Sequence, residues 1–175
     1  MSVPAINGLA GSADAKGRVS PAPRLSTDFL NRFSEALMLI ELAADDDGIV
    51  DDLKAWRSIT YREHFEVSSL RCAPSALAAY ECVAPARRAG FEELCKAMAR
   101  LVSTATALLA DKRDGLDPAT IVDVASEALR RQIGRATQFI NANGAVEIGS
   151  IESRALQAEI DALLISRQET PGPKA

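Results

Sequence analysis

Apolar side chains recur at steps of three and four along most of this chain, the spacing of one face of an α-helix. Behind Ser26-Thr27-Asp28, three residues that each favour a helix N-cap, come Phe29, Phe33, Leu37 and Ile40. Their spacing predicts a first helix. Its second half is unusual, because Glu41 is the only polar residue between positions 36 and 44. A helix apolar nearly all round needs cover on more than one side, from other helices or from a second subunit. Asp45-Asp46-Asp47-Gly48 then breaks the run, and Ile49, Leu53 and Trp56 outline a short second helix.

Thr60-Tyr61-Arg62-Glu63 has the spacing of a capping box, which predicts a third helix from Tyr61 to about Leu70. Pro74 suits the first turn of a fourth helix reaching Val83, and Pro85 opens a fifth in the same way, since its missing N–H costs nothing there. The fifth helix is long, from Pro85 to about Lys112, with a heptad-like seam of Phe91, Leu94, Met98, Leu101, Ala105 and Leu108. Gly115 ends it, and Asp117-Pro118 caps and starts a sixth. Val122, Ala125, Leu129, Ile133, Ala136 and Ile140 share a face of that helix, which stops at Asn143-Gly144. The short linker makes helices five and six antiparallel neighbours. A seventh helix is expected over residues 151–168, with Leu156, Ile160 and Leu163 inward. Residues 145–148 are the one stretch with any extended character.

The expected fold is therefore an all-α bundle of six or seven helices, built around a long antiparallel helix 5–helix 6 hairpin. A chain of 175 residues fits one domain, here residues 26–169. Residues 1–25 carry Gly, Pro4, Pro21 and Pro23 without an apolar period and read as a disordered tail; residues 170–175, with Pro171 and Pro173, read likewise. Seven of the eight aromatics lie at or before Phe91, and Phe139 alone lies beyond. That asymmetry predicts an aromatic zone of short helices beside a hairpin packed with Ala, Leu, Ile and Val.

Composition narrows the function classes. A net charge of −4 argues against a general nucleic-acid binder, which shows a basic domain or stripe, and gives no attraction to anionic lipid. No stretch approaches the apolar length of a spanning helix, and the N-terminus lacks the apolar core of a signal peptide. Cys72, Cys82 and Cys95 form no CxxC pair and read as buried, reduced thiols of a cytoplasmic protein. Arginine outnumbers lysine fifteen to five in an alanine-rich chain, a bias that points to a bacterial source with GC-rich coding.

Five features carry candidate chemistry. Aligning Gly48 with the turn glycine of an EF-hand loop puts Asp45, Asp47 and Asp51 at ligand positions, but Ala43 and Lys54 then stand where the first ligand and the bidentate glutamate belong. A helix-connecting turn is the better reading, and no metal or cofactor is expected. His64 is the only histidine, which leaves a histidine phosphotransfer role formally open; Glu66, two residues on, has the wrong sign for holding a phosphate. Arg130, Arg131 and Arg135 suggest an anion contact, against a solvated helix face with a Glu127–Arg131 pair at i,i+4. Cys72, beside Arg71 and near Pro74, is the thiol best placed for reactivity.

The fifth feature is the segment holding Trp56, Arg57, Tyr61, Arg62, His64 and Phe65. It concentrates the side chains that dominate binding hot spots, so it is the expected partner surface or small-ligand pocket, against the plain alternative that its aromatics fill the core. No phosphate loop, nucleotide fingerprint or metalloprotease motif accompanies these features. The function expected is that of a non-enzymatic interaction or regulatory protein, binding another protein or itself as a homodimer. The alternatives are phosphotransfer through His64 and a small-ligand sensor with a pocket in the aromatic zone.

Overall fold

The computed structural model describes residues 22–111 and 117–149, with the Asp47 side chain excepted. Within them the chain is all helical. A 3-10 turn over Thr27–Leu30 leads into α1, Asn31–Leu42. Then follow α2 (Asp47–Ala55), α3 (Tyr61–Glu66), α4 (Ala73–Cys82), α5 (Pro85–Ala110) and α6 (Pro118–Asn141). The expected seventh helix, the linker glycine Gly115 and both chain ends lie outside the described residues.

The ends of these helices follow from identifiable side chains. Ser26 Oγ accepts the Asp28 N–H at 3.3 Å and starts the 3-10 turn, which sends both Phe29 and Leu30 into the core. The Asp46 carboxylate accepts the Gly48 N–H at 2.8 Å, so α2 begins at Asp47, ahead of its apolar pattern, and Asp51 and Asp52 fall inside the helix rather than at its start. The capping box closes as its spacing predicts: Thr60 Oγ1 accepts the Glu63 N–H at 3.2 Å, and Glu63 Oε2 accepts the Thr60 N–H at 2.7 Å. However, α3 stops at Glu66, four residues short of expectation. Ser68 Oγ accepts the Leu70 N–H at 3.2 Å, a local turn that competes with helix, and Val67 is left exposed with nothing to pack on. Residues 145–148 form no strand.

The two long helices make the most extensive contact in the described structure. Phe91, near the start of α5, stacks on Phe139, near the end of α6, with centroids 4.7 Å apart, so the helices run antiparallel. The seam residues of α5 are all buried, as are Val122, Ala125, Leu129, Ala136 and Ile140 of α6. At one end of this hairpin the packing is aliphatic. At the other, Phe29 sits fully buried among Phe33, Tyr61, His64 and Phe91, with ring centroids 5.4–6.3 Å away. Offset and edge-on ring contacts of this kind each add about 0.5–1.5 kcal/mol beyond simple burial.

Helix α1 packs against α2, α5 and α6, and this covers most of its apolar surface. Ile40 is buried, but Met38 stays 52% exposed and Leu42 49%. Two expectations need correction. Residues 23–25 belong to the folded body rather than to a tail: Leu25 is buried, the Arg24 N–H donates to Ser75 Oγ at 3.2 Å, and the Pro23 carbonyl accepts from Asn143 Nδ2 at 3.2 Å. The cysteines are not all buried, since Cys72 and Cys82 are exposed and only Cys95 is partly covered. Helical caps near the surface, where both exposed thiols lie, leave little to cover them. Among the described residues, no helix is long and apolar enough to cross a membrane.

Candidate functional site

The chain from α2 to α3 runs alongside α5, and a cleft opens between them. Its volume is about 690 Å³, within the range of small-molecule sites. One wall is residues 58–63, the turn into α3 and its first residues. The other is a single face of α5: Arg88, Phe91, Glu92, Cys95, Lys96, Ala99 and Arg100. Tyr80, projecting from α4, joins the lining.

Aromatic rings supply the apolar part of this cleft. Tyr61 lies against Tyr80 with centroids 4.8 Å apart and planes 23° from parallel, and it meets Phe91 edge-on at 5.8 Å. The Tyr61 hydroxyl accepts the Ser26 N–H at 2.8 Å, which anchors the ring from behind. Burial pushes its pKa up to about 12, against the Ser26 hydrogen bond, which lowers it. The Tyr80 hydroxyl donates to Glu92 Oε1 at 2.6 Å; burial, then that carboxylate, hold the phenol protonated well above its usual range. Burial likewise raises the Cys95 thiol, so this sulfur is inert packing rather than a nucleophile.

The charges around the cleft are ordered. Arg62 and Arg88 both pair with Glu81, and the Arg88 guanidinium lies 5.7 Å from the centre of the Tyr80 ring, a cation–π contact. Lys96 pairs with Glu93 at 2.7 Å. Glu63 is held below the usual carboxylate range by the Thr60 backbone and hydroxyl donors of the capping box.

The six residues expected to form one partner surface do not lie together. Tyr61 and Arg62 line the cleft. Phe65 is buried core, packed against Tyr61 at 4.8 Å. Trp56 and Arg57 line a shallower pocket of about 290 Å³ further along α5, beside Val102 and Thr106. The Trp56 indole N–H donates to the Arg32 carbonyl at 3.1 Å. His64 does not line the cleft: its Nε2 lies 2.9 Å from Asp28 Oδ2 and its ring is edge-on to Phe29 and Phe65. A phosphoryl relay through that nitrogen would have to displace the Asp28 carboxylate.

The arginine group of α6 is tied down as well. Arg130 pairs with Glu41 of α1, Arg131 reaches Glu127 at 3.5 Å, and Arg135 donates to Gln132 at 3.2 Å. Cys72 Sγ lies 3.8 Å from Ser26 Oγ. In the acidic turn, Asp46 caps α2 and Asp51 pairs with Lys54 at 2.8 Å, which lowers the Asp51 pKa.

Sequence reasoning misses the α5 wall. Arg88, Glu92, Lys96 and Arg100 stand at successive steps of four, which is legible, but such a stripe reads as an ordinary solvated helix face until a facing element is known. No family model, no curated protein and no solved structure matches this chain.

Proposed function

We propose that this protein binds a small organic molecule in the cleft between α5 and the turn into α3. The observation that carries the reading is the cleft itself: a lining of stacked tyrosines and Phe91 edged by fixed polar groups, the usual composition of a ligand site. Its residues are pre-positioned. Tyr61 is held by Ser26, Tyr80 by Glu92, and the wall at residue 60 by the capping box. A ligand entering such a site meets side chains that lose little further freedom. This is the sensor reading of the aromatic zone, and it uses Tyr61 and Arg62 of the expected surface.

The test is a thermal-shift screen of organic molecules on the wild-type chain, repeated on Ala99→Phe. Ala99 lines the cleft and is only partly buried, so a phenyl group there fills the space without entering the core. At least one compound should raise the melting temperature of the wild type and leave Ala99→Phe unmoved. A screen with no stabilising compound defeats the reading.

One observation favours a second reading, self-association. Met38 and Leu42 stand one helical turn apart on α1 and are each about half exposed. A two-fold contact through that edge would cover both.

A further inference from the structure

Resting on the reading of the cleft as a ligand site, we infer that its ligand is an organic anion: a carboxylate or sulfonate on an apolar body, with the charged end at Arg100 and Lys96. The α5 wall runs from Arg88 to Arg100. At 1.5 Å per residue that is about 18 Å along the helix axis. Its two ends differ in kind.

At the Arg88 end the charges answer one another. Arg88 and Arg62 share Glu81, and Glu92 accepts from the Tyr80 hydroxyl. At the other end, Arg100 makes no hydrogen bond or ion pair with a described residue, and acts on Glu93 only through space. One turn back, Lys96 has Glu93 as its partner, but that pair is well exposed, and such pairs contribute little and exchange readily. Among the described residues, this end therefore offers a guanidinium with no partner taking its donors, beside an ammonium that can turn inward.

The acidic groups of the lining do not compete for those donors. Glu63 Oε2 takes both the Thr60 N–H and the Thr60 hydroxyl, and Glu92 is engaged by Tyr80. Between the two ends, the partly buried Ala99 and the edges of the core rings of Tyr61 and Phe91 form an apolar floor. A cationic ligand would meet arginine at either end of the cleft. A neutral one would cover Arg100 without replacing the water it loses. With Arg62 and Arg88 answered by Glu81, the selection for an anion rests on Arg100, with Lys96 beside it.

The experiment uses three probes of one shape and different charge: naphthoate, naphthylmethanol and naphthylmethylammonium, titrated calorimetrically into the full chain. Naphthoate should bind about tenfold or more tighter than the neutral alcohol, as expected of a charge-assisted hydrogen bond. Added salt should weaken naphthoate and leave the alcohol unchanged. The double variant Arg100→Ala, Lys96→Ala, both exposed and so tolerated by the fold, should erase the preference while keeping alcohol binding. If alcohol or ammonium binds as tightly as naphthoate, the anion assignment is overturned and the ligand cleft stands. If naphthoate keeps its preference in the double variant, the placement at Arg100 and Lys96 is overturned. If none of the three binds and the wider screen is also empty, the cleft reading itself is lost.

Discussion

Asn143 fastens Leu25 to the end of the last described helix across 118 positions of sequence: its Oδ1 accepts the Leu25 N–H at 2.8 Å. The same side chain donates from Nδ2 to the Pro23 carbonyl at 3.2 Å. Asn143 has a φ of 51°, the left-handed conformation that closes α6, and the Gly144 N–H returns to the Phe139 carbonyl at 2.9 Å. One residue therefore ends a helix and pins the entering chain. Asn143→Ala should lose about 2–3 kcal/mol of stability, from two hydrogen bonds and an alanine in a left-handed position. Asn143→Gly, which relieves the backbone, should lose about 1–2 kcal/mol. Urea denaturation of the two variants checks this; equal losses would show that the conformation, not the side chain, matters little.

The neighbouring glycine is required for a separate reason. Gly144 has a φ of 73°, and a Cβ there would fall 2.6 Å from Val83 Cγ2. Gly144→Ala should therefore cost about 2–4 kcal/mol, part conformational and part steric. Removing the obstacle separates the two parts. In the double variant Gly144→Ala, Val83→Ala the loss should be smaller than the sum of the single losses by about 1 kcal/mol or more. Simple additivity in a denaturation cycle would refute the clash.

How far the fold was legible can be judged element by element. Thr60 and Glu63 declare their helix start by spacing, and Asp117-Pro118 declares another. The α5 seam and its antiparallel partner follow from periodicity, because burying a stripe is a local pattern with a global consequence. The end of α3 was hidden. A serine that turns its own backbone at Ser68 looks the same in sequence as a serine on a helix face. The candidate site was half legible. Tyr61 and Arg62 stand out by composition, but the facing wall of Lys96 and Arg100 becomes a wall only once residues 58–63 lie beside it. Phe65 shares the face of Tyr61 but is taken up by the core, and His64, one position before it, is engaged by Asp28.

Self-association through α1 makes a sharp claim about two side chains. Sedimentation velocity at micromolar concentration should show a dimer for the wild type. Met38→Glu with Leu42→Glu should give a monomer that still folds, since both side chains are about half exposed, with a melting temperature lowered by the loss of the association. A wild-type monomer removes the second reading and leaves the cleft untouched.

Tyr61 gives the cleft a predictable response to alkali. Burial desolvates its phenol and pushes the pKa up from the ordinary tyrosine value of 10.0 to about 12 in the folded chain. Below pH 10 the group is protonated in both states, and it contributes no pH dependence. Between about pH 10 and about pH 12 the unfolded chain releases this proton while the folded one keeps it, so stability falls as pH rises through that window. Tyr61→Phe removes the titration along with the Ser26 hydrogen bonds. Near neutrality the variant should be less stable than the wild type, by about 1 kcal/mol for the lost hydrogen bonding. Above pH 10 the deficit should shrink, because only the wild type still has this proton to lose. Thermal midpoints of both proteins measured in parallel decide it. A deficit that stays constant to pH 12 would mean the phenol is reached by water, and the back wall of the cleft would then be open where the ring contacts place it closed.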